Sequence, residues 1–410
     1  MNKKVMKMNS RIGLQTAALM FALNTFAAHV ETDRKWYLAG EAMTVSITDA
    51  DALIAYAELC DTYSLAAGTV VGLQAGEGTA IIELPSHLHS GYYVLSVYTR
   101  HSAQVSRQLV AVVNPLHKSA EDDIQWVSIA HPDSLSHPSA DGGESFSTAD
   151  MAVSKRADVR EAEGHIIKAR VRNTYEGQTF KGSQIRPSLS IIGKQIHYFE
   201  GKMVNDSIAL FYTYGIHGKQ PLVLSAVTLT GVSLPIEMIS PFAALLPKQL
   251  PHLVFRYNRS EVEARSLDMQ RHQIAIAPAK RELKIGDDAD DTAEDVVPLD
   301  YDETLFDTKP DLTYNLDEYR QFLTVREVLL EYVNTSSRPA LVLIDGMPVI
   351  DRERLLKYDA RRVHHINIYG GQYTFGNGVY SGVMSFVTRS GRLTNYPVER
   401  NMQYLVYQFP

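Results

Sequence analysis

Cysteine is almost missing from this chain. Cys60 stands alone among 410 residues, so no intrachain disulfide can form and a cysteine metal knuckle has no ligands. The signatures of several hydrolytic and phosphoryl-transfer chemistries are missing too. There is no Gly-x-Ser-x-Gly elbow, no His-Glu-x-x-His and no Gly-x-x-x-x-Gly-Lys loop. No apolar run is long enough to cross a bilayer as a helix. Surplus positive charge is also lacking. A formal net charge of -7 removes the electrostatic footprint of a nucleic-acid binder.

What remains is ordinary globular material with a lean towards strands. Hydrophobic residues make up 45% and charged residues 21%, and tyrosine is frequent at 22. At roughly 100–200 residues per domain, the length predicts two to four compact units. The N-terminus carries Lys3, Lys4, Lys7 and Arg11, then the short apolar stretch Leu14 to Leu23, then small residues through Ala28. That order describes a secretory signal, with cleavage expected after Ala27 or Ala28. The chain is therefore expected to be exported to the periplasm or outer membrane of a Gram-negative bacterium, with no transmembrane span in the mature form. Cys60, in the run Ala57-Glu58-Leu59-Cys60, reads as a small buried hydrophobe.

Residues 29–115 read as an all-β unit with strands at Met43 to Ile47, Thr79 to Leu84, Gly91 to Tyr98 and Gln108 to Val113. In the third of these, Tyr93, Leu95 and Val97 share one face, while Tyr92, Val94 and Tyr98 make the other face apolar as well. Such a strand belongs inside a sheet with its outer face at least partly covered. Residues 116–157 read as a linker or long loop, dense in Ser, Asp, Gly and Pro. A second β unit is expected over 158–245. There Ile167, Ala169 and Val171 face one way and Lys168, Arg170 and Arg172 the other. Residues 246–335 read as a mixed linker, helical over Ser260 to Ile274, acidic from Asp287 to Asp295, and helical again where Thr324 and Glu327 form a capping box. The acidic run has no glycine inside it, which speaks for a solvated linker over a calcium loop.

The segment 336–391 reads as a small α/β sheet, and 392–410 as a C-terminal tail. Its order is a strand at Ala340 to Ile344, a short helix at Arg352 to Tyr358, a strand at Val363 to Tyr369, glycine-rich turns at Gly370-Gly371 and Gly376-Asn377-Gly378, and a strand at Gly382 to Arg389. Asp345-Gly346 marks a tight turn.

Two resemblances attach to these residues. Ala39-Gly40-Glu41 opening a strand, with Leu84-Pro85 and Ser90-Gly91-Tyr92-Tyr93-Val94-Leu95 later, resembles the immunoglobulin-like repeat of the macroglobulin family. Cys60 is followed by Asp61, so the reactive thioester of that family is not implied. The second unit resembles, more distantly, the sandwich of carboxypeptidase regulatory domains. Three blocks in order, Pro339 to Pro348, Val363 to Ile368 with Phe375-Gly376, and Ser381 to Gly391, resemble the plug domain of TonB-dependent outer-membrane receptors. The layout as a whole is similar to Bacteroidetes exported proteins that join macroglobulin-like sandwiches to such a plug. A receptor barrel needs many strands of about ten residues, and Arg392 to Pro410 offers no room for them, so transport by this chain alone is not expected.

The resulting expectation is a mainly β protein: two immunoglobulin-like β-sandwiches followed by a small α/β plug-like domain. The residues that carry the plug motif, in structural or docking roles, are Asp345, Gly346, Pro348, Gly376, Gly382, Thr388 and Gly391. No catalytic residue, cofactor or metal is expected. His87 and His89 alternate as a metal pair would, yet they lie in a turn-like Pro-Ser-His-Leu-His-Ser. His364 and His365 should point to opposite faces of their strand, and His131 with Asp133 has no defined partner. The expected function is non-catalytic interaction or assembly in the cell envelope. The alternatives are an accessory subunit of a TonB-dependent transporter, and an enzyme or peptidase regulator. Removing 336–410 is expected to abolish partner capture while the N-terminal units still fold.

Overall fold

The computed structural model describes residues 29–410 except 49–51, 101–104, 130–138, 142–160, 162–163, 194, 283–300, 306–307, 320–321, 334–338 and 376–377. The expected leader, His131, Asp133, the acidic run and Gly376 therefore lie outside the described residues.

The first sandwich is built from β1 (His29–Thr32), β2 (Trp36–Leu38), β3 (Ala42–Thr48), β4 (Ile54–Cys60), β5 (Leu65–Gly72), β6 (Glu77–Glu83), β7 (Gly91–Tyr98) and β8 (Val105–Val113). They form two sheets, β1-β3-β6 and β2-β8-β7-β4-β5. The inward alternation of Met43, Val45 and Ile47 meets Tyr93, Leu95 and Val97 in one core. All of β7 is buried, and each face has its own cover. Tyr92 lies among Trp36, Leu38 and Phe255, whereas Tyr98 joins the core of the second sandwich.

The stretch 116–157 is not simply a linker. Strands β9 (Ile124–Ser128) and β10 (Ser139–Asp141) lie within it. They flank β20 (Leu253–Tyr257), β9 parallel and β10 antiparallel, in a three-stranded sheet. That sheet and the helix α1 (Arg259–Glu282) cover the outer face of the first sandwich. Arg265 of α1 lies 3.5 Å from the Trp36 ring centroid and 2.7 Å from the buried Glu41 carboxylate, which docks a long and weakly amphipathic helix.

The second sandwich uses β11 (His165–Val171), the small hairpin β12 (Thr174–Tyr175) and β13 (Gln178–Thr179), β14 (Ile185–Ile191), β15 (His197–Glu200), β16 (Lys202–Met203), β17 (Ile208–Thr213), β18 (Gly218–Thr228) and β19 (Ile236–Ile239). Its two main sheets are β16-β17-β11-β19 and β15-β14-β18-β26, where β26 is Gln403–Phe409. The expected tail 392–410 is thus corrected, because its last strand runs antiparallel to β18 from Gly218↔Phe409 to Leu224↔Gln403. The reason is the period-two set Leu405, Tyr407 and Phe409, which packs onto this core.

Between β19 and β26 the chain builds the C-terminal unit. It contains β21 (Leu312–Asn315), α2 (Val325–Glu331), β22 (Leu341–Ile344), β23 (Met347–Pro348), α3 (Arg352–Leu356), β24 (Val363–Phe375) and β25 (Gly378–Thr388). Its sheet order is β21-β24-β25-β22-β23. Part of the expected linker 246–335 therefore supplies an edge strand and a helix to this unit. Thr324 caps α2, with both halves of the capping box formed by Thr324 and Glu327. Gly370 and Gly371 do not make a turn. They sit within β24 at a register shift between Tyr369 and Gln372, a bulge in one long hairpin.

Candidate functional site

The Asp345-Gly346 pair forms the two-residue turn between β22 and β23. Both residues have positive φ, 46° and 88°, as a type I′ hairpin requires. Asp345 is buried, and its carboxylate accepts from the Thr388 amide at 2.7 Å, the Thr388 hydroxyl at 2.6 Å and the Leu393 amide at 2.7 Å. Burial pushes its carboxyl up to about 6, while these donors pull the other way. The hydrogen bonds leave no acceptor aimed at solvent, so Asp345 ties a hairpin to the loop after β25 instead of offering an acid to a ligand. Pro348 lies in the sheet-edge strand β23, where a missing N–H costs no ladder bond. Gly382 and Gly391 take φ of 79° and 65°. Asp345, Gly346, Pro348, Thr388 and Gly391 gather at one end of the sheet, with Gly382 at the start of the β22–β25 pairing.

Gly346 also marks where this unit meets the second sandwich. A Cβ there would lie 2.8 Å from Ile196 Cγ2 and 2.9 Å from the Ile191 carbonyl oxygen. Nearby, Tyr380 of β25 donates its hydroxyl to Glu200 of β15 at 2.6 Å.

The histidine pairs behave differently from each other. His87 is exposed, while His89 Nδ1 lies 3.2 Å from the Tyr93 hydroxyl, and the two do not converge. His364 and His365 do not point apart as expected. A register shift between Val363 and His365 brings their Nδ1 atoms to 2.7 Å, one donating to the other. His365 is buried, and burial followed by the neighbouring His364 pushes it down to about 4. Its Nε2 stands 3.6 Å from the Glu303 carboxylate, beyond hydrogen-bond reach.

α2 and the segments beside it carry an open notch. Leu316, Tyr319, Phe322, Val328 and Tyr332 line a notch edged by Arg361 and Arg389. The Tyr319 and Tyr332 rings are 4.4 Å apart and the Phe322 ring is 5.4 Å from Tyr332. Arg361 is held by Asp359 at 2.7 Å, and Arg389 by Asp317. Flanking the notch, Leu323 is 66% and Leu330 79% exposed. An aromatic notch between two bare leucines and two oriented guanidinium groups is suited to contact with another protein. The capping box exposed α2 in the sequence, but the notch depends on β21 and its following turn meeting α2 in space.

The junction of the two sandwiches was equally invisible. Tyr56 of β4 donates to Glu161 at 2.8 Å, and Arg100 reaches the same carboxylate at 2.9 Å. His165 of β11 touches Glu161 through Nδ1 at 3.1 Å and the Tyr407 hydroxyl through Nε2 at 2.7 Å. Among the described residues, no group of three or more His, Cys, Asp or Glu side chains is placed to hold a metal ion.

No protein-family model matches the chain, and no curated protein matches it. Among solved structures, the BSP domain of a biofilm-associated protein is similar at 11% identity and a TM-score of 0.18, over 52% of this chain and 30% of that one. Trypsin-activated alpha-2-macroglobulin from Escherichia coli is similar at 10% identity and a TM-score of 0.20, over 53% of this chain and 16% of that one. A tandem pair of titin immunoglobulin domains is similar at 9% identity and a TM-score of 0.15, over 57% of this chain and 98% of that one. The chain thus spans less than a third of the first two. The mainly β, sandwich architecture stands on the paired sheets themselves.

Proposed function

We propose that the protein is a non-catalytic interaction and assembly component of the cell envelope, in which two sandwiches hold the C-terminal α/β unit as a docking head. One observation carries this reading. The head is seated on the second sandwich: its Val342 and Ile344 share a core with Ile192 and Val223, its Leu341, Leu343 and Tyr380 pack with Ile196 and Tyr198, and the chain leaves it through β26, a strand of that sandwich. A unit seated in this way is presented in a fixed orientation, with Leu323 and Leu330 beside the α2 notch exposed to solvent. The resemblance of Pro339 to Gly391 to a receptor plug supports the same reading and favours an outer-membrane transporter as the class of partner.

Deleting 336–410 is an unsuitable test, since it would remove β26 from the second sandwich. Substituting the exposed Leu323→Asp and Leu330→Asp leaves every core intact. Cross-linking in intact cells should join the native chain to one dominant envelope protein, and the double variant should lose most of that product at an unchanged unfolding midpoint. Equal cross-linking by both forms would overturn the docking role.

A further inference from the structure

Charge is unevenly spread along this chain. Residues 165–239, which build the second sandwich, hold eight lysines and arginines against four acids, a formal +4 in a chain whose total is -7. Part of this surplus lies on the outer face of the sheet β16-β17-β11-β19. Along β17 the inward Ala209 and Phe211 are buried, while Ile208, Leu210 and Tyr212 point the other way. Register sets their neighbours. Leu210 has Lys202 beside it on β16 and Lys168 on β11, and Ile208 has Arg170. On the β16 side Val204 donates its amide to the Ile208 carbonyl at 2.8 Å. Val204 is 58% and Tyr212 50% exposed, and neither belongs to the core of this sandwich.

The result is an apolar track along β17 with cations on both sides. Two strand spacings separate Lys202 from Lys168, about 10 Å between backbones, and Arg170 follows Lys168 by about 7 Å along β11. Among the described residues the side chains of Lys168, Arg170 and Lys202 form no ion pair. Arg170 and Lys202 are exposed, and Lys168 is half-buried. Arg100, near the start of β11, is already engaged by Glu161 and the Ile166 carbonyl, each at 2.9 Å. Glu237 lies opposite Arg170 on β19, on the side away from β17. Asp206, between β16 and β17, accepts the Gly182 amide at 2.7 Å.

These features select the occupant. Three cations without carboxylate partners call for anionic groups, and the aliphatic floor calls for apolar groups between them. An acidic glycan answers the cations but sets hydroxyls on Leu210 and Val204. An extended polypeptide answers both, because its side chains alternate at the same two-residue step as Lys168 and Arg170. We propose that this face docks an extended acidic segment of a partner protein along β17. Its carboxylates meet Lys202, Lys168 and Arg170, and its apolar side chains lie on Ile208, Leu210 and Tyr212. The face belongs to the second sandwich and uses no residue of the α2 notch.

The test uses the full chain and a labelled peptide in which glutamate and leucine alternate on one face with serine between them, followed by fluorescence anisotropy. Saturable binding that weakens as salt rises is expected, and the same peptide with lysine for glutamate should not bind. Arg170→Glu combined with Lys202→Glu should weaken binding about tenfold or more, at an unchanged unfolding midpoint because both side chains are exposed. Tyr212→Ser should weaken it about threefold or more and leave its salt dependence as it was. An acidic oligosaccharide and vesicles rich in anionic phospholipid are measured beside the peptide. Failure of the acidic peptide to bind, whether or not the glycan or the vesicles do, would overturn the assignment. Equal binding by the native chain and either variant, or equal binding after serine replaces leucine in the peptide, would overturn it too.

Discussion

Glu58, in the middle of β4, accepts the backbone amide of Leu245 at 2.7 Å across the boundary between the two sandwiches. The same carboxylate takes the amides of Ala243 and Ala244, each at 3.1 Å, and the Tyr98 hydroxyl at 2.9 Å. It is fully buried, and Phe242 of the same loop rests on Gly68, where a Cβ would come within 2.9 Å of the ring. Glu58→Ala would leave three amides without an acceptor, at a cost of about 3 kcal/mol or more. It would also leave the guanidinium of Arg107, held low by burial and supported by the Glu58 charge, without its counter-ion. Denaturant unfolding should change from one transition to two as the sandwiches uncouple. A single transition at the native midpoint would contradict this.

Acid should loosen the same junction through His165. Burial holds its imidazole below the ordinary 6.5, against the pull of Glu161. The unfolded chain therefore takes up a proton that the folded one refuses. Stability from this group is complete above about pH 6.5 and declines as the pH falls towards the folded value. Burial pushes the Glu161 carboxyl up, but its bond from His165 and the charge of Arg100 outweigh that and hold it below 4.5. Its contribution is present above 4.5 and is lost on further acidification. Lys168, held low by burial and then by Arg100, and the neutral hydroxyls of Tyr56 and Tyr407 complete the surroundings. Thermal unfolding followed between pH 7.5 and 5 should show a falling midpoint, and His165→Gln should flatten the slope.

In the C-terminal unit two groups oppose each other. His365, pushed down to about 4, loses stability as the pH falls from 6.5. Asp345, pushed up to about 6, gains it as the pH falls from 6 towards 3.8, since the folded state holds the proton more tightly. Each is worth on the order of 3 kcal/mol, so they nearly cancel. Asp345→Asn suits the positive φ, because asparagine tolerates that region, and it removes one of the two opposing terms. The variant should become more acid-sensitive than the native chain between pH 6.5 and 4, measured as the slope of stability against pH. A slope equal to that of the native chain would contradict the opposition.

The sequence exposed those elements whose cause is local. Alternation located β3 and β11, apolar runs located β7 and, in the C-terminal unit, β22, β24 and β25, and the Thr324–Glu327 box located α2, while β21 and β23 were not foreseen. It did not expose what depends on distant partners. β9 and β10 are short and half-polar, and they become strands only because β20 arrives between them. The His364–His365 contact arises from a bulge that no alternation pattern encodes. Glu161 and His165 are four residues apart, but their meaning depends on Tyr56 and Arg100 coming from another unit. The aromatic notch was hidden for the same reason, since Leu316 and Tyr332 meet only after the chain turns back on itself.

Cys60 tests the burial of β4 directly. The thiol is fully buried, and burial followed by Glu58 and Asp61 pushes it up to about 12. A thiol reagent needs the thiolate and access to it, and the folded chain provides neither. In buffer near pH 8 the reaction should be slower than that of the denatured chain by a factor on the order of a hundred or more. Fast labelling without denaturant would mean that β4 and β5 separate in the native state.

The last strand provides the strictest test, because it returns the chain from the C-terminal unit to the second sandwich. β26 contributes Tyr407 and Phe409 to the second core, and its removal exposes the edge of β18 along Gly218 to Leu224. Each aromatic side chain withdrawn from the core costs about 1.5–3 kcal/mol, and His165 loses the Tyr407 hydroxyl at 2.7 Å. A chain ending at Met402 should therefore lose the folding cooperativity of the second sandwich, not merely a tail. Supplying the peptide Gln403–Pro410 in trans should restore part of it, since the strand pairs along one open edge and needs no threading. A truncated chain that unfolds at the native midpoint, or one that the peptide leaves unchanged, would show that β26 is a passenger on the sandwich.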